Sequence, residues 1–155
     1  MRTIGGALWL VCALAACGSD PADDPVASTP LAGDLDGVAW AANSAIARTS
    51  SDAGKRSVHM YPDSGVTCES GFGDEPYLTV LVPWVEGAVP LGLQSDATVF
   101  FYFDATAYLV LEGRVEVLSA STEVGAMVPF RVRAIFEDSD NDLVAEGEIH
   151  VEICE

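Results

Sequence analysis

Alternation of apolar and polar side chains is clearest at the end of the chain. Phe130, Val132, Ala134 and Phe136 fall on one face of an extended segment, with Arg131 and Arg133 on the other. The following segment sets Ile149, Val151 and Ile153 against Glu148, His150 and Glu152. Together they predict a hairpin whose paired residue numbers add to an odd value, because a slip of one residue would turn the arginines into the core. A total of 281 is expected, pairing Phe130 with Val151, Val132 with Ile149 and Arg133 with Glu148. An exposed Arg–Glu pair contributes ~0.2–1 kcal/mol, enough to bias register without holding a fold.

The same period of two runs through the middle of the chain. Ser57–Tyr61, Tyr77–Val82, Thr98–Phe103, Tyr108–Leu111 and Arg114–Val117 read as strands, and Val66–Cys68 as a further extended piece. Pro62–Gly65, Asp104–Thr106 and Ser119–Gly125 carry turn chemistry, Pro83–Gly92 reads as loop, and Gly113 marks a bulge or bend. Asp36-Gly37 offers a turn ahead of Val38–Ala42, where Trp40 is expected to anchor the core. Ala41–Ala47 is rich in alanine but too short to make a convincing helix. About eight strands joined by short turns leave no room for helical crossovers, so the sheet should be antiparallel. The expected fold is an all-β sandwich of immunoglobulin-like or transthyretin-like appearance, with a small β-barrel as the alternative that also removes exposed edges.

Ahead of this domain lies a different pattern. Ile4–Leu14 is an apolar run behind a single positive charge at Arg2, followed by small residues. As a helix its eleven residues cover about 16 Å, against roughly 30 Å of hydrocarbon, so it is too short to span a bilayer. Leu14-Ala15-Ala16-Cys17 resembles the lipobox of bacterial lipoproteins. That resemblance implies cleavage before Cys17, a thioether-linked lipid on its sulfur and an acyl chain on the new N-terminus. Two or more chains hold a protein firmly at a membrane, where one does not. The resemblance further implies a cell-envelope location, in the outer membrane if the host is Gram-negative, because Gly18 rather than aspartate follows the lipid cysteine. The opening around Asp36-Gly37 and Trp40, together with the cysteine near the end, is similar to many small envelope lipoproteins with β-sandwich or β-barrel domains. These share no activity that could be carried over. The chain then divides into a leader at 1–16, a lipidated cysteine with an extended, disordered linker at 17–33, rich in proline and aspartate, and a β-rich domain at 34–155.

Charge narrows the partners. The chain carries 24 acidic and 7 basic residues, and loss of Arg2 with the leader takes its net charge from −17 to −18. Such a surface argues against nucleic acid and against anionic lipid. Membrane contact should come through the acyl chains at Cys17, and the expected partner is a protein or a glycan. With Cys12 in the leader and Cys17 lipidated, Cys68 and Cys154 remain to form one disulfide in an oxidising compartment.

Candidate chemistry is thin. Asp138, Asp140 and Asp142 occupy positions 1, 3 and 5 of a calcium-loop pattern, but Leu143 replaces the glycine at position 6 and Ile149 the glutamate at position 12. His59 and His150 are the two histidines, and His150-Val151-Glu152 lacks the Pro-Cys-x-x-Cys partner that a zinc deaminase needs. A nucleophile elbow is missing, and a Cys68–His pair would require the disulfide to be open. Trp84, Phe101, Phe103 and Tyr108 are candidate ligand-binding aromatics, with Phe100 and Tyr102 on the same hairpin. The reading is a non-catalytic, lipid-anchored envelope protein that binds or scaffolds a partner, without a required cofactor. Its rivals are a small-ligand carrier with an aromatic-lined pocket and a calcium-dependent adhesion or stability module.

Overall fold

A computed structural model of the chain describes residues 24–138 and 141–155. Within them the period-two segments become eleven strands: β1 (Ala32–Leu35), β2 (Val38–Ala41), β3 (Ser44–Thr49), β4 (Lys55–Tyr61), β5 (Tyr77–Pro83), β6 (Gly87–Pro90), β7 (Thr98–Phe103), β8 (Thr106–Val110), β9 (Glu112–Val117), β10 (Met127–Glu137) and β11 (Asp142–Ile153). The all-β expectation holds. Four strands exceed it: β1 and β2 close a hairpin at Asp36-Gly37, β3 takes the alanine-rich stretch, and β6 arises inside the supposed loop at 83–92. Conversely, Val66–Cys68 forms no strand.

Hydrogen bonds order nine of them β6-β9-β10-β11-β3-β4-β5-β7-β8, with β1 and β2 added beside β11. This sheet curls into a half-barrel. The connections require the curl. Residues 84–86 alone join β5 to β6, and four Cα steps span at most about 14 Å. On a flat sheet those strands would stand six spacings of ~4.8 Å apart, about 29 Å. Likewise Leu111 alone joins β8, at one end of the path, to β9 near the other. Trp84 and Phe130 stack across the enclosed space with centroids 6.4 Å apart, and Tyr108 meets Phe136 at 5.2 Å. Val58, Val80, Val99, Phe101, Phe130 and Val132 fill the interior between them.

The path has one thin joint. β11 and β3 run parallel and share two residue pairs, Glu152 with Ile46 and Ile153 with Ala47, whereas every other neighbouring pair is antiparallel and longer. The curled half-barrel is consistent with the expected all-β sandwich or barrel class.

The C-terminal hairpin keeps its predicted faces but not its predicted partners. Phe130 pairs with Ile149, Val132 with Gly147 and Arg133 with Glu146, a total of 279 rather than 281. A shift of two leaves every side chain on its own face, so patterning is blind to it. Chain reversal decides instead: Asp138 N–H donates to the Asn141 carbonyl at 3.0 Å, closing the hairpin two residues earlier along the sum.

From Asp24 onward the supposed disordered linker is instead ordered and docked, and its last two residues, Ala32 and Gly33, already belong to β1. On the outer face of β9–β11, Arg131 donates to Glu148 at 2.8 Å and lies 3.7 Å from Glu116; Arg133 donates to Glu146 at 2.7 Å. Two of these carboxylates also receive the N-terminal segment, Val26 N–H reaching Glu116 Oε1 and Ala27 N–H reaching Glu146 Oε1, each at 3.1 Å. Arg133 in turn donates to the carbonyls of Asp24 and Pro25. Val26 and Leu31 are buried as a result. Composition suggests that 17–33 lacks enough apolar surface to fold, and backbone-to-carboxylate bonds supply what the side chains lack. Arg133 holds the Glu146 carboxyl below its ordinary range.

Gly147 makes room for this strap. A Cβ there would stand 2.6 Å from Leu31 Cα and from the Thr29 carbonyl oxygen, at a φ of 144°. Gly147→Ala is expected to lift residues 29–31 and cost roughly 1–3 kcal/mol. Faster amide exchange at Leu31 and Glu148, which bond across this crossing, checks it; unchanged exchange would show that the strap yields without detaching.

Candidate functional site

Residues on the outer face of β4, β5 and β7 form a run of contacting rings. Phe100 and Tyr102 alternate with the buried Val99 and Phe101, and pairing sets Tyr102 beside Tyr77 and Phe100 beside Thr79. Tyr102 stacks on Tyr77 at 4.6 Å, Tyr77 meets Tyr61 at 5.3 Å, and His59 stacks on Tyr61 at 6.4 Å. The connection 62–76 folds back over one end of this run. Its Phe72 meets the His59 ring edge-on at 5.1 Å, with the Arg48 guanidinium 5.3 Å above the Phe72 ring. Beneath it Ile46, Tyr61 and Cys154 form a second, smaller core with Val66, Cys68 and Tyr77 packed against it. Burial pushes the Tyr61 phenol up to about 12, outweighing the opposing contact with the Gly73 backbone.

What holds this connection in place is short-range and covalent. Asn43 and Ser44 donate to the Pro62 and Asp63 carbonyls, Arg48 donates to the Cys68 carbonyl at 3.2 Å, and Cys68 N–H reaches Glu152 Oε2 at 3.1 Å. Cys68 and Cys154 are bonded, as the cysteine count predicts.

His59 lies under Phe72, its ring nitrogens 2.9 Å from Ser57 Oγ and 3.0 Å from Thr79 Oγ1. Burial, aided by the Arg48 charge, lowers its pKa from 6.5 to about 4. The unfolded chain then binds a proton that the folded chain refuses, so stability is full above about pH 6.5 and falls as pH drops toward 4. After allowance for partial solvent access the loss is on the order of 2 kcal/mol. Urea midpoints at pH 7.5 and pH 5 check it: His59→Asn should remove that part of the pH dependence, and an unchanged slope would place the proton elsewhere.

A second feature lies at the end of the path. Among the described residues β8 pairs with β7 on one side only. Around it Leu93, Leu109 and Leu111 are 84%, 40% and 44% exposed. Leu109, Leu111, Ile135 and Phe136 share an open recess of about 290 Å³ with Glu112 and Glu137, and Leu93 and Leu109 line a neighbouring one.

The sequence-predicted site residues are dispersed. Trp84 and Phe101 are core, Phe103 and Tyr108 pack against it, and Trp84 donates its indole N–H to the Ser121 carbonyl at 2.8 Å. Trp40 is buried and donates to the Pro76 carbonyl, as a core anchor should. Asp138 and Asp142 sit at the tip of the β10–β11 hairpin; Asp140 and the lipobox, with Cys17, lie outside the described residues. Among the described residues no three His, Cys, Asp or Glu side chains are grouped to hold a metal. His150 is exposed on β11 and His59 is engaged with Ser57 and Thr79. Sequence reading misses the roles of Phe72 and Tyr77. The Cys68–Cys154 pair is the available signal, since it has to bring the 62–76 connection against the last strand.

The chain matches no family model, no curated protein and no solved structure.

Proposed function

We propose that this chain is a lipid-anchored, non-catalytic envelope protein whose β-domain binds a protein partner along the β8 edge. The observation that carries the reading is the cluster of exposed leucines, Leu93, Leu109 and Leu111, beside a strand with one side unpaired among the described residues. An open edge offers main-chain donors and acceptors to an added strand, and an apolar border offers it side-chain contacts. Acids rim the recesses there, Asp96, Glu112 and Glu137, and none of the lining residues is basic. The partner segment is therefore extended, with apolar and basic residues in alternation. The disulfide supports an oxidising location. Lipidation at Cys17 supplies the anchor, which lies in the outer membrane if the host is Gram-negative. The docked strap at Asp24 leaves seven residues of tether, at most about 25 Å of reach.

Two measurements test this. Mass spectrometry of the chain expressed in a bacterial host should find a mature form that begins at an acylated Cys17, with Cys17→Ser unprocessed; an unmodified mature N-terminus would remove the anchor. A synthetic peptide alternating lysine and valine should slow amide exchange at Thr106–Val110, and Leu109→Ser with Leu111→Ser should abolish the effect. No protection, or equal protection by a glutamate–valine peptide, would remove the edge as the binding site.

A further inference from the structure

The six described basic residues divide into two groups that the acidic composition does not explain. Arg114, Arg131 and Arg133 each lie within 4.0 Å of a glutamate. Arg48, Lys55 and Arg56 have no carboxylate partner among the described residues, although acids outnumber bases 24 to 7. Arg48 is engaged with Phe72 and Cys68. Arg56 is the one placed like a ligand-binding group.

Position comes first. Arg56 belongs to the inward-facing set of β4 with Val58 and Met60, and it is 9% exposed. It therefore closes the mouth of the half-barrel rather than lying on its outside. Its guanidinium stands 5.7 Å from the Trp84 ring centroid, so the indole supports the cation from below. Nη1 alone serves the fold, donating to the carbonyls of Cys154 at 3.0 Å and Ala47 at 3.4 Å, one from each side of the thin joint. These two bonds hold the guanidinium plane. Its other edge, Nε–H and Nη2–H, makes no hydrogen bond among the described residues, and neither atom is buried without a partner. That edge is the one that grips a carboxylate with two parallel bonds.

The surroundings fit such a guest. Arg56, Lys55, Thr49, Gly54, Trp84 and Thr122 line a solvent-open recess of about 230 Å³. It offers a second cation, two hydroxyl-bearing side chains and an aromatic wall, and none of its lining residues is acidic. Barrel mouths are a usual place for small-ligand sites, and this volume lies below the range for drug-sized molecules. In a chain of net charge −17 an anion is repelled at long range, so retention must come from local geometry.

We propose that this mouth binds the carboxylate of a small organic acid, gripped in two-point fashion by Arg56 and assisted by Lys55. The site stands apart from the β8 edge and does not depend on the partner proposed there.

Succinate serves as the probe, titrated into the oxidised protein while the Arg56 Nε–H and Trp84 indole N–H resonances are followed by NMR, with sodium chloride at matched ionic strength as the control. Saturable shifts confined to Arg56, Trp84 and Thr122 are expected with succinate and not with chloride. Arg56→Lys keeps the charge but loses the two-point edge and should weaken binding about tenfold. Lys55→Gln, a partly exposed change that leaves the Arg56–carbonyl bonds intact, should weaken it several-fold with an unaltered melting temperature. Absence of saturation up to about 50 mM, a range that covers affinities weaker than any specific site would need, overturns the proposal and leaves Arg56 as a structural clamp. An identical response to chloride, or undiminished binding in both variants, overturns it as well.

Discussion

Replacing Cys68 and Cys154 together by alanine is expected to destabilise the domain by about 4–5 kcal/mol. The bond closes a loop of 86 residues, and the chain-entropy model gives ~4.5 kcal/mol for a closure of that length. Tertiary structure adds a second reason for a large effect. Cys154 follows Ile153 directly, at the end of the two-pair joint between β11 and β3, where its N–H donates to the Ala47 carbonyl. The disulfide thus clamps the place where the two halves of the sheet have least backbone pairing, and it also holds the 62–76 connection over Tyr61. Urea unfolding of the oxidised protein and the double variant measures the cost, and His59 reports the local consequence. If the connection lifts, His59 regains solvent and its pKa returns toward 6.5. A loss below about 1 kcal/mol would mean that the hydrogen bonds from Asn43, Ser44 and Arg48 suffice without the covalent link.

Trp84→Ala should cost about 3–5 kcal/mol, the range for truncating a buried aromatic residue. Trp84 stands in the three-residue link between β5 and β6, stacks on Phe130 from the opposite half of the sheet, and supports the Arg56 guanidinium. Its removal leaves a hole between two strands that share no hydrogen bonds, so nearby backbone pairing cannot compensate. Trp84→Phe keeps the stack but forfeits the indole bond to the Ser121 carbonyl, and about 1 kcal/mol is expected for that bond alone. Thermal and urea unfolding of the two variants separate these contributions. Equal losses would assign the whole effect to the hydrogen bond, and a small loss in both would show that the halves are held together elsewhere.

Period-two alternation determined much of this molecule in advance. It assigned the all-β class, and it put Phe101 on the opposite face from Phe100 and Tyr102, but with both faces of that strand apolar only the fold decided that Phe101 lies inside. It also set both faces of the C-terminal hairpin, because the arginines between Phe130 and Ala134 allow one orientation. Counting cysteines paired Cys68 with Cys154. Local turn chemistry placed the Asp36-Gly37 reversal, where positive φ angles at both residues suit a two-residue hairpin.

Tertiary structure decided whatever that pattern leaves unchanged. A register shift of two residues moves no side chain across the sheet, so closure between Asp138 and Asn141 selected the total of 279. Strand order is equally silent in a list of strands: β6 lies beside β9, not β5, and the parallel contact of β11 with β3 joins segments far apart in sequence. Composition fails for the strap that runs from Asp24 to Leu31, because its docking resides in Glu116 and Glu146, far along the chain. The open edge at β8 and the carboxylate-free recess at Arg56 have the same origin. Both depend on which strands the curl leaves apart, and hydrophobic patterning, a property of neighbours in sequence, carries no information about neighbours across a closing sheet.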